Sequence, residues 1–138
     1  MKIIHEEPPN HAAIIARFGK LKNGVIFTYG DTIYSPTAQE ISRNLEVHET
    51  VHMRQQGDDP EGWWERYLLD DKFRLSQEVV AYHEQYKFVR TEIKDPNLRT
   101  RFLMKISTDL SSSMYGNIVT HRQALNMIKR GRIDGLSR

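Results

Sequence analysis

The chain contains no cysteine, which removes disulfide scaffolds, zinc ribbons, thiol proteases and iron–sulfur clusters from consideration. Any metal it binds must be held by histidine and carboxylate. Long apolar runs are missing too. No stretch approaches the roughly 18 residues of a membrane span, so no membrane partner is expected. The first residues, Met1-Lys2-Ile3-Ile4-His5-Glu6-Glu7-Pro8-Pro9, lack the apolar h-region of a secretory signal. Internal repeats, low-complexity runs and linker-like stretches are also wanting, so residues 1–138 read as one continuous domain.

What is present suffices for a core. The chain has 138 residues, 38% hydrophobic and 28% charged, with 2 Trp, 6 Tyr and 5 Phe. That length needs no covalent staples, and the aromatic content is too high for a disordered chain. The net charge is only +2, but it is unevenly spread. Between Glu46 and Asp71 eight acidic residues face two arginines, a net of −6. Between His121 and Arg138 five Lys/Arg face one Asp, a net of +4. A basic tail can signal nucleic acid, yet no Phe, Tyr or Trp follows Tyr115 to stack on a base. The tail therefore reads as a solvated helix end, and a nucleic-acid partner is disfavoured.

Local signals predict a mostly helical α+β domain with a small early sheet or hairpin. Asn10 stands where a cap would open a short helix, His11 to Phe18, closed by Gly19. Two β-rich runs from Gly24 to Tyr34 flank a Gly30-Asp31 turn, a hairpin signature. Thr37 with Glu40 forms a capping-box pattern for a helix to Gln56, ended by Gly57. Pro60 opens a Trp-rich helical stretch, and Lys72 to Arg90 shows helical periodicity. Asp95-Pro96 is a cap followed by proline at the first helical position. Leu98, Phe102, Ile106 and Leu110 then form an apolar stripe, Ser111 to Gly116 a break, and Thr120 with Gln123 a second capping box before a helix to Gly131.

The chemistry concentrates in His48-Glu49-Thr50-Val51-His52. Histidines at i and i+4 stand one turn apart on a single helical face, so both imidazoles reach one cation. Zinc suits neutral imidazole and a three-ligand site with an open position. Glu49 points about 100° round the helix, towards a metal-bound water rather than the metal. With 6 His and ten Glu in the chain, His-Glu-x-x-His arises by chance in roughly 2% of such sequences. Ile41, Leu45, His48, His52 and Gln55 share a face of the expected helix, which would turn the ligands inward. The plain alternative is an amphipathic helix whose histidines merely pack.

Zinc needs a third protein ligand. Asp58 lies six residues beyond His52, as in metzincins, but Gln55 stands where a glycine would let the chain turn back. Glu78 lies 26 residues beyond His52 and shares a helical face with Tyr82, Gln85 and Val89, so it ranks first, ahead of His83 and Glu84. Arg74, four residues before Glu78, is placed to orient that carboxylate or to pair with Asp70. Tyr82, His83, Tyr115 and His121 are candidates to stabilise an oxyanion, with Tyr115 preferred because its Tyr-Gly break can present a phenol to a cleft. Trp63 and Trp64 read as core anchors.

With His48-Glu49-x-x-His52 and a later helical Glu78 in place, the chain resembles the gluzincin pattern of zinc metallopeptidases. The longer strings Tyr29-Gly30-Asp31-Thr32-Ile33-Tyr34, His48 to Gln56 and Gln77-Glu78-Val79-Val80-Ala81-Tyr82 are similar to small zincin-like proteins of bacteria and their phages. The resemblance covers about residues 24 to 90 and extends to the Ser113-Met114-Tyr115-Gly116 break. It implies an early strand beside the cleft, an active-site helix, and a second helix supplying a carboxylate. It also implies a cytoplasmic or virion-associated setting and a peptide or protein substrate, with a phage or host protein as a further partner.

Three functions follow. In a zinc peptidase, Glu49 acts as general base on metal-activated water, and Gly30 to Tyr34 offers an edge strand to an extended substrate. In a non-catalytic zincin-fold module, such as a virion component, zinc is a clamp and Glu49 has no task. In a nucleic-acid binder the basic tail carries the activity; hydrolysis retained after truncation at Arg130 separates this from the first.

Overall fold

Six α-helices and a three-stranded sheet make up the described residues, 1–37 and 40–133, of the computed structural model, so the chain is an α+β protein that is mostly helix. It divides into two compact units, Met1–Leu69 and Asp70–Arg138.

The first unit holds β1 (Lys2–Ile4), α1 (His11–Phe18), β2 (Phe27–Tyr29), β3 (Thr32–Tyr34), α2 (Arg43–Gln56) and α3 (Pro60–Leu69). Gly30 adopts φ +64°, the sign that a type II′ turn requires at its first central position and that a side chain would oppose. The turn brings β2 antiparallel to β3, with Tyr29 opposite Thr32 and Phe27 opposite Tyr34. β1 pairs with β3 in parallel, giving the order β1-β3-β2. Ile14, Phe27, Ile33, Val51, Trp63, Trp64, Tyr67 and Leu68 form the buried apolar set of this unit. Both tryptophans are thus anchors, as the sequence suggests.

The second unit holds α4 (Asp71–Glu92), α5 (Pro96–Leu110), a 3₁₀ turn at Ser113–Tyr115, and α6 (His121–Arg130). Its starts are chemically marked. Asp70 accepts from the Phe73 N–H at 3.0 Å, Asp95 accepts from the Asn97 N–H at 2.8 Å, and Thr120 and Gln123 make both halves of a capping box. Leu75, Val79, Tyr82, Leu103, Ile106, Leu110, Tyr115, Val119, Ala124, Met127 and Ile128 pack together as its core. No helix among the described residues is long and apolar enough to cross a membrane.

Four local expectations are corrected. The metal-motif helix begins at Arg43, not near Thr37: Ser42 accepts from the Leu45 N–H at 3.3 Å, while the Thr37 hydroxyl accepts from the Gly24 N–H at 3.2 Å. Ile41 therefore lies outside the helix whose face it was expected to share. Residues 38 and 39 of the expected helical start lie outside the described residues, as do 134–138 of the basic tail. Asn10 occupies the cap position of α1 without a side-chain cap bond, because its backbone (φ −100°, ψ 25°) is not extended. In α5 the expected stripe holds at Phe102, Ile106 and Leu110, which pack in or against the core, and fails at Leu98. Leu98 is exposed, and Leu103, Ile106, Ser107 and Leu110 are buried. Lastly, Thr32–Tyr34 is the central strand, hydrogen-bonded on both sides, so it offers no edge; the edges are β1 and β2.

Candidate metal centre

The Ser42 cap sets the start of α2, and the 3.6-residue period then places His48 and His52 one turn apart. Their rings meet edge to face with centroids 4.9 Å apart. Both histidines and Glu49 between them are buried, an unusual state for three polar side chains on one turn. His52 is held on two sides. Its Nδ1 lies 2.8 Å from Gln55 Oε1. A carboxamide oxygen accepts, so this contact suits a His52 ring that donates from Nδ1, the usual way an outer partner orients a metal-binding imidazole. On its flank the ring meets Trp63 and Tyr67, with centroids 5.3 and 6.5 Å away. Trp63 and Tyr67 are themselves stacked at 4.8 Å, making a rigid wall.

Glu49 is positioned by the sheet. The Thr28 hydroxyl on β2 donates to Glu49 Oε1 at 2.9 Å. Glu49 Oε2, the other oxygen, lies 3.8 Å from His48 Nε2. Thr28 is fixed in turn through its backbone: its carbonyl accepts from Gln56 Nε2 at 2.7 Å and from Trp64 Nε1 at 2.9 Å. Gln56 also accepts from the Gly30 N–H at 2.7 Å, so one side chain ties the end of α2 to the hairpin. Two donors occupy both lone pairs of the Thr28 carbonyl, which leaves that carbonyl no acceptor capacity for an added strand.

Helix α4 carries two buried stripes. Leu75, Val79, Tyr82 and Val89 serve the apolar core, while Arg74, Glu78, Ala81 and Gln85 follow the spacing of a second, largely polar face. A carboxylate as buried as Glu78, 3% exposed, is tolerated only with compensating charge or hydrogen bonds. His48, His52 and Glu78 each offer one ligand atom, and those atoms lie within 4.8 Å of one another. This buried His-His-Glu group could hold a metal ion.

The competing residues are engaged elsewhere. Asp58 is exposed and outside the group. His83 Nδ1 lies 2.6 Å from the Ile128 carbonyl oxygen, Glu84 pairs with Lys87 at 3.5 Å, and His121 Nε2 is 3.2 Å from the Met104 carbonyl. Arg74, wholly buried, pairs with Asp71, and the Asp70 carboxylate accepts from the Phe73 N–H in the α4 cap. Tyr115 is buried in the 3₁₀ turn, its hydroxyl 3.1 Å from that of Tyr82, which sits one turn beyond Glu78. Sequence reasoning missed the roles of Thr28, Gln55 and Gln56. The i, i+3 spacing of His52 and Gln55 was a usable signal, and so was a lone threonine in the run Val25-Ile26-Phe27-Thr28-Tyr29. Nothing local marks Gln56. Comparison of the chain with family models, with curated proteins and with solved structures finds no match.

Proposed function

We propose that the chain is a zinc-dependent peptidase of gluzincin type, with His48, His52 and Glu78 as ligands and Glu49 as general base. The reading is supported chiefly by the pairing of a buried His-His-Glu group with a carboxylate on the same helical turn that is not itself a member of the group. A purely structural metal has no use for such a carboxylate. Zinc so held would act as a Lewis acid and lower the pKa of a water in its open position towards neutrality. Glu49 takes the proton of the attacking water and delivers it to the departing amine. Gln55, with its Oε1 2.8 Å from His52 Nδ1, orients the ring so that Nε2 is the ligating nitrogen. Tyr115 is assigned the hydrogen bond to the developing oxyanion.

The test uses purified protein, metal analysis and a random-sequence library of quenched fluorescent peptides. Wild type should carry one zinc and cleave a subset of the library. Glu49→Gln keeps side-chain size and touches no proposed ligand, so zinc content should hold while turnover falls by roughly 10²–10⁴-fold. Equal, nonzero turnover in both proteins would refute the general-base role and leave the metal site standing. A zinc-loaded wild type that cleaves nothing would favour the clamp.

A further inference from the structure

We infer that Thr28 is a positioning residue for the Glu49 carboxylate, an inference that rests on the peptidase reading above. The free rotation of a glutamate about its last bond exchanges its two oxygens and lets the carboxylate swing. Only one orientation presents an oxygen to an incoming water. The Thr28 hydroxyl removes that freedom by donating to Oε1 at 2.9 Å, which hands the outward task to Oε2, the oxygen 3.8 Å from His48 Nε2. The donor is itself immobile. Thr28 is 2% exposed, its β-branched side chain is stiff at χ1, and its carbonyl is clamped by Gln56 at 2.7 Å and Trp64 at 2.9 Å. A further, longer approach of the same hydroxyl to the Glu49 backbone carbonyl, at 3.4 Å, ties the threonine to the helix turn that bears the base. A buried threonine used only for packing would need no such fixture, and valine would fill the same volume.

Thr28→Val is the direct test, since it is nearly isosteric and deletes only the hydroxyl. With the best-cleaved peptide of the library as probe, kcat should fall by roughly ten- to a hundred-fold, the scale on which misplacing a catalytic group acts. KM and zinc content should stay within two-fold. Thr28→Ser restores the hydroxyl but leaves a methyl-sized void, so it should recover most of kcat despite packing worse. In a Glu49→Gln background, Thr28→Val should lower kcat no further. Wild-type kcat in Thr28→Val, or equal losses in the Val and Ser variants, would overturn the inference. If Glu49→Gln keeps wild-type turnover, the base reading fails and the positioning role falls with it. If Glu49→Gln is inactive while Thr28→Val is not, only the positioning role fails.

Discussion

Gln55 shows how much a single side chain outside the proposed ligand set can decide. Its oxygen meets His52 Nδ1 at 2.8 Å, so its loss frees the ring to rotate and to shift its proton. Gln55→Ala should weaken zinc affinity by roughly 10–100-fold, the usual cost of removing such a partner; competition with a chromophoric chelator reads this directly. The proposed ligands themselves should behave more steeply. His48→Ala or His52→Ala should lose most of the metal, because two protein ligands rarely retain zinc. Glu78→Ala should also weaken retention, whereas Asp58→Ala, which alters an exposed residue outside the group, should leave it unchanged. The reverse result for the two carboxylates would move the third ligand to Asp58.

Among elements, two joints carry disproportionate weight. Gln56 joins the end of α2 to the hairpin through the Gly30 N–H and the Thr28 carbonyl. Gln56→Ala strands a partly buried N–H, and should cost about 1–3 kcal/mol in urea unfolding. At the end of α6, Gly131 has φ +76°, and a Cβ there would stand 2.8 Å from the His83 ring. Gly131→Ala should therefore lower stability by about 1–2 kcal/mol, from left-handed backbone and steric conflict together. Helix starts were legible because a cap is a local event. The cap at Asp95 and the capping box at Thr120 involve residues two or three apart, whereas the Asp70 cap of α4, equally local, was not read from the sequence. The start of α2 shows the limit of such reading. Thr37 and Ser42 both suit a cap, and the choice went to Ser42 because Thr37 is bonded to Gly24, thirteen residues away in sequence.

For the whole molecule, each of the two units has its own apolar core. A cation bound only by folded protein stabilises it by mass action, about 2.7 kcal/mol at a hundred-fold excess over Kd. Thermal unfolding should accordingly shift upward by several degrees as free zinc is raised. A His48→Ala, His52→Ala double variant should show no such shift. Chelation should return wild type to the unshifted curve.

Periodicity and local chemistry alone determined the helices (apart from the start of α2), the hairpin and the one-turn spacing of His48 and His52, because each is governed by residues within about four positions of one another. They also ranked Glu78 first, through a face expected to hold Tyr82, Gln85 and Val89; Gln85 lies on the buried stripe of Glu78, whereas Tyr82 and Val89 lie on the neighbouring apolar one. What tertiary structure decided has longer reach. That β3 lies at the centre of its sheet depends on a partner strand some thirty residues earlier. That Thr28 meets Glu49, with Gln56 and Trp64 holding the strand behind it, joins positions 21, 28 and 36 apart. No period or motif links such residues; only the packing of a sheet edge against a helix brings them within hydrogen-bond reach.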